Sequence, residues 1–185
     1  MKSIILVSVI LFSALNFAFV FPKEETTELD KQVIHWKEGN PLSWNDFIGR
    51  TKTFTSISAL TASAIEYAYE CSDNDVSISV KAIFIPEDSW VKADAMNDYV
   101  LGHEQLHFDI TEVYARKLRK ELNTRITTCR DIKNIESIAN SVIKEWKKEQ
   151  AKYDADSKHS MDKELQALWA KKVRQDLANY KAYSL

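Results

Sequence analysis

The sequence predicts an α+β chain: an N-terminal antiparallel β-hairpin or small sheet packed against about three C-terminal helices. Two observations carry the prediction. Apolar residues recur at every second position through much of the first half and at helical spacing through the second half. The two patterns follow one another without alternating, as they would in a parallel α/β sheet. The 185 residues are 45% hydrophobic with only three Gly and three Pro, enough for one core and against wholesale disorder or low-complexity architecture.

Taken in order, Lys2 precedes an almost unbroken apolar run from Ile4 to Phe21, which Pro22 and Glu24-Glu25 end. That is the shape of a secretory signal, and about 18 apolar residues also suffice for an uncleaved membrane anchor. Residues 1–21 are thus expected to be a signal peptide or anchor, and 22–185 a single domain held outside the cytoplasm, secreted or periplasmic. Membrane association is expected only if the leader stays in place. Val33-Ile34-His35-Trp36 reads as a short strand, Gly39-Asn40-Pro41 as a turn, and Asn45-Asp46 as loop or cap. From Thr55 to Cys71 the period is two; Ser72 to Asp75 supplies a turn; Val76 to Phe84 alternates again until Pro86. This predicts a hairpin of two long strands.

Val100, His103, Leu106-His107, Ile110, Val113-Tyr114 and Leu118 then follow 3.6-residue spacing and predict a helix over 95–122. A second is predicted over 131–150 from Ile132, Ile135, Ala139, Val142 and Trp146. Leu165, Leu168-Trp169, Val173, Leu177 and Tyr180 predict a third, capped by Asp162 or Ser160. Tyr153 to Ser160 reads as the polar connection between the last two. The two cysteines, Cys71 and Cys129, are expected to form one disulfide in an oxidising compartment. A net charge of -2 supplies no cationic field, which argues against nucleic-acid partners.

The chemistry concentrates in Gly102-His103-Glu104-Gln105-Leu106-His107-Phe108-Asp109. This is an H-E-x-x-H motif on a predicted helix, where i and i+4 imidazoles share a face and can grip one Zn²⁺ ion. Glu104 points off that axis, where it can serve as general base toward a water on the metal. A catalytic zinc needs three protein ligands and one open position. The further His-rich continuation of metzincins is absent. His35 sits beside Trp36 in a strand and reads as structural, so His159 leads as third ligand, with Asp154, Asp156 and Glu164 as alternatives.

Asp109 reads as an exposed helix carboxylate, Arg116 to Lys120 as a solvated helix face, and Trp36, Trp44, Trp90, Trp146 and Trp169 as core. Tyr153 reads as a packed aromatic. Glu66, Tyr67 and Tyr69 would line a cleft if their strand were an edge to which a peptide could add.

Four segments together resemble the bacterial secreted zinc-dependent protease family still classed as a domain of unknown function. They are Leu42-Ser43-Trp44-Asn45-Asp46-Phe47, Ser89-Trp90-Val91-Lys92, His103 to Ile110 with Ala115 to Arg119, and Tyr153-Asp154 with His159. The resemblance implies an extracytoplasmic metallopeptidase acting on a peptide or protein substrate, and supports His159 as third ligand. Two positions depart from the family pattern: Leu106 and Ser160 each stand where a Gly is expected. A non-catalytic module with a structural His pair or zinc, and a zinc amidase acting on cell-wall peptide, are the alternative readings.

Overall fold

The computed structural model describes residues 32–52 and 54–185, and for residues 5–7 the backbone alone. The leader assignment therefore lies outside the described residues except for β1 (Ile5–Val7), which pairs antiparallel with Tyr67–Tyr69. The remaining strands are β2 (Ile34–His35), β3 (Ala59–Leu60), β4 (Ser63–Ser72), β5 (Asp75–Phe84) and β6 (Trp90–Val91). The helices are α1 (Asp98–Arg125), α2 (Ile135–Ser157) and α3 (Lys163–Asn179). An antiparallel sheet ordered β1-β4-β5-β2 and the small pair β3-β6 pack against the three helices, which is the α+β arrangement the periodicities predict.

The β4–β5 hairpin turns through Asp73 and Asn74, both at positive φ (52° and 73°). That is the two-residue turn whose twist suits a hairpin, and Asp and Asn tolerate it best after Gly. Alternation then sends Ile65, Tyr67, Val80, Ala82 and Phe84 inward against α1. The long predicted first strand is broken at 61–62, between β3 and β4. There Ala62 takes its N–H to Ser89 Oγ and its carbonyl to Ile85 N, while Thr61 turns its hydroxyl to Glu104. Ser89 is fully buried and its Oγ also donates to the Ile85 carbonyl, so the Ser89-Trp90 segment is a structural clasp.

α1 starts at Asp98 rather than at 95 because Asn97 caps it, accepting from Tyr99 N and Val100 N. α2 extends to Ser157, seven residues beyond the predicted end. Its last turns are polar in composition but bury Tyr153 and Ser157, spaced i and i+4, on one face. The connection predicted over 153–160 shrinks to 158–162. Lys158, His159 and Ser160 all adopt left-handed backbone, with φ of 50°, 52° and 68°, before Asp162 caps α3. A left-handed L-residue costs roughly 1–2 kcal/mol and glycine avoids most of that. Ser160→Gly is therefore expected to raise stability by about 0.5–1 kcal/mol, after the larger unfolded-state entropy of Gly is subtracted. A chemical denaturation midpoint that falls would contradict this.

Two surface expectations are overturned. The run from Arg116 to Lys120 is not a solvated face: Arg116 and Arg119 are buried and share buried Glu112, with N–O distances of 2.8 and 3.0 Å. They also cap the C-terminal region, donating to the carbonyls of Leu177 and Tyr183, and Arg119 Nε reaches Val80 O in the sheet. Asp109 is not exposed either; it accepts from Trp36 Nε1 (2.8 Å) and Gln105 Nε2 (2.7 Å). Burial pushes its carboxyl above the ordinary range, and those two donors only partly offset it. Of the tryptophans, Trp90 and Trp169 are buried, and Trp36, Trp44 and Trp146 pack partly buried against the core.

Cys71 and Cys129 form the expected disulfide, which ties the tip of the β4–β5 hairpin to the chain between α1 and α2. Such a bond points to an oxidising, extracytoplasmic compartment. Among the described residues, no helix is long and apolar enough to cross a membrane.

Candidate metal centre

The centre is built on α1. His103 and His107 lie one turn apart on the same face, with ring centroids 4.9 Å apart and Nε2 atoms 3.3 Å apart. Over them passes α2, carrying Gln150, Tyr153 and Asp154. Because α2 continues past Gln150, Asp154 is held on a helix rather than a loop. Its Oδ1 stands 3.4 Å from His103 Nε2 and 3.1 Å from His107 Nε2.

Those three separations fit a metal ion. Ligand atoms at about 2.0–2.1 Å from a tetrahedral ion lie about 3.3 Å from one another. His103, His107 and Asp154 thus form a group able to hold a metal ion. Two imidazoles and one carboxylate offer two neutral nitrogens and one anionic oxygen, with one side left to a cleft.

The electrostatics agree. Burial works against a charge on Asp154, yet the hydrogen bonds and charges of His103 and His107 hold its carboxyl well below the usual range. Burial likewise opposes protonation of His107, but Asp154 and Glu104, with Gln150, outweigh it and raise the ring's pKa. Carboxylates that draw a proton to this point favour a metal cation there for the same reason.

Each His is oriented from behind. Gln150 places Oε1 2.6 Å from His107 Nδ1, which fixes Nδ1 as the protonated nitrogen and leaves the Nε2 lone pair facing the centre. Its Nε2 donates to the His107 carbonyl at 2.9 Å. His103 stacks on Tyr153 at 4.7 Å between centroids; its Nδ1 is buried with no hydrogen-bond partner among the described residues. Tyr153 is the packed aromatic expected: its hydroxyl is directed to the His103 carbonyl, not to the cleft. Gln150 was missed by sequence reasoning, since a Gln in a polar stretch carries no signal until α2 is laid across α1. Gln150→Leu is expected to weaken metal binding about 10–100-fold, the usual cost of losing a partner behind a ligating His. Isothermal titration with zinc would measure it.

Glu104 is buried, and its Oε2 accepts from Thr61 Oγ1 at 2.7 Å. It shares with the three possible ligands a cleft of about 520 Å³. One wall of that cleft is the chain segment 57–63; the facing wall is α2 with Trp146, Gln150 and Asp154. β3 pairs with β6 on its far side, through Ala59 with Val91 and Leu60 with Trp90. On the cleft side, among the described residues, no strand pairs with 59–63. Glu66, Tyr67 and Tyr69 do not line this cleft, because the hairpin register buries Tyr67 in the core and sets Tyr67–Tyr69 against β1.

The other sequence candidates take different places. His159 is exposed at the rim, with Nδ1 3.3 Å from the same Asp154 Oδ1. Asp156 faces the other way and accepts from Trp169 Nε1 at 3.0 Å. Glu164 is exposed in the first turn of α3, and His35 is exposed on β2 and does not line the metal cleft.

Fold and centre together define a class: an α+β protein with a His-Glu-x-x-His helix whose two imidazoles meet a carboxylate from a second helix. Residues 44–160, more than half the chain, match the family model described as "Bacterial protein of unknown function (DUF922)", and the chain belongs to that family. No curated protein and no solved structure matches it.

Proposed function

We propose that the protein is an extracytoplasmic zinc-dependent hydrolase, most simply a metallopeptidase. The observation that carries the reading is the spacing of His103, His107 and Asp154, at 3.1 to 3.4 Å from one another, with Glu104 in the same cleft. Two His and one carboxylate is a donor set used by catalytic zinc, and it leaves the open position that such a site keeps. A zinc ion bound there supplies Lewis acidity, which acidifies water and polarises a substrate carbonyl.

The chain's own groups do the rest. Thr61 holds Glu104 Oε2, which leaves Oε1 to take the proton of the attacking water and pass it to the leaving nitrogen. His159 leans on Asp154 from the rim and steadies that carboxylate. On the cleft side, where no described strand pairs with it, the edge of 59–63 accepts an extended chain as an added strand, which supports a peptide or protein substrate over a compact one.

The test is metal content and hydrolysis on the same sample. About one zinc per chain after dialysis, with cleavage of an unfolded protein substrate that chelation abolishes and zinc restores, is the expected result. A chain that binds no zinc while folded, or holds zinc and cleaves neither proteins nor peptides, would overturn the proposal.

A further inference from the structure

A second cleft, of about 460 Å³, shares Leu60, Ala62, Ser63 and Trp146 with the metal cleft and continues from it along β4. Its floor is apolar: Ile143 and Trp90 are buried beneath it. The rim sets Arg50, Lys52 and Lys147 against Glu87 and Asp88, so charge selects no sign and the floor decides what enters. We propose that this cleft is a specificity site for a large apolar side chain, aromatic or long aliphatic, of an extended peptide whose reacting bond lies at the metal centre. The inference rests on the peptide reading above.

Distance sets where that side chain falls. Thr61, bonded to Glu104, marks the reacting bond on the strand wall, and Ala64 lies over the second cleft. The three intervening steps span roughly 10 Å of extended chain. A peptide added antiparallel to this wall runs backwards along it, so the apolar residue precedes the reacting bond by about three positions. Trp146 stands on the partition, its Nε1 held by Thr111 Oγ1 at 3.2 Å, and presents its ring to both clefts.

Selection from a displayed library of random peptides tests this. The bait is zinc-loaded protein carrying Glu104→Gln, which is expected to hold peptides without turning them over. Expected is enrichment of aromatic or large aliphatic residues at one fixed position. Ala64 lies on the outer face of β4, away from the core, so Ala64→Trp fills the cleft with the metal centre untouched. That second substitution is expected to abolish the enrichment and weaken the selected peptides at least about tenfold, with zinc content unchanged. Ala64→Leu, a smaller filling, should shift the choice toward shorter side chains. No positional enrichment, or the same enrichment with Ala64→Trp, overturns the inference. Enrichment that Ala64→Trp removes upholds the cleft even if the wild type leaves those peptides uncut, an outcome that overturns the hydrolase reading instead.

Discussion

Asp154→Ala is expected to strip the centre of its metal, lowering zinc affinity by more than roughly a hundredfold, beyond the 10–100-fold typical of partners behind the ligands. The substitution removes the one anionic donor of the group and the atom that both imidazole Nε2 atoms face. His159→Ala is the matched control. His159 is exposed and touches the carboxylate from outside, so its loss is expected to leave about one zinc per chain after identical dialysis. Metal analysis of both variants, with circular dichroism to confirm folding, decides between them. Full zinc in Asp154→Ala and none in His159→Ala would return His159 to the ligand set and move Asp154 behind it.

Glu104→Gln is expected to leave zinc bound and lower hydrolysis about 10²–10⁴-fold, the range one general acid–base group supplies. The amide matches the carboxylate in size and can still accept the Thr61 hydroxyl's hydrogen bond, so packing at this buried position is kept. What it cannot do is take a proton. Initial rates on a peptide substrate, measured at matched zinc content, read the effect. Rates equal to wild type would remove Glu104 from the mechanism. Lower zinc in the variant would mean that the side chain holds metal rather than protons.

The part of the site that was legible in the sequence is the part that is local. His103, Glu104 and His107 belong to one helix, and i, i+4 geometry puts the two rings together whatever the rest of the chain does. The same locality made the hairpin, the Asp162 cap and the helical character of the second half readable. Composition misled where burial depended on a partner. Arg116, Arg119 and Asp109 read as solvated because charged side chains usually are, yet each meets opposite or polar groups supplied by the sheet, the N-terminal segment or the C-terminus.

Asp154 and His159 lie in a single polar stretch, which the sequence presents as a loop, and on that reading His159 ranked first as third ligand and Asp154 behind it. The ranking depends on whether residues 151–157 are helix or loop, which follows from the burial of Tyr153 and Ser157 on one face of α2, Tyr153 packing against the α1 histidines. Thus the sequence by itself determined the α+β class, the disulfide pair and the His-Glu-x-x-His half of the centre. Tertiary structure alone decided which carboxylate meets the two histidines, that Gln150 orients His107, and which strand edge faces the cleft. The physical reason is that helical and strand periodicity act over a few residues. Bringing Asp154 to His107 across 47 residues takes the packing of one helix on another.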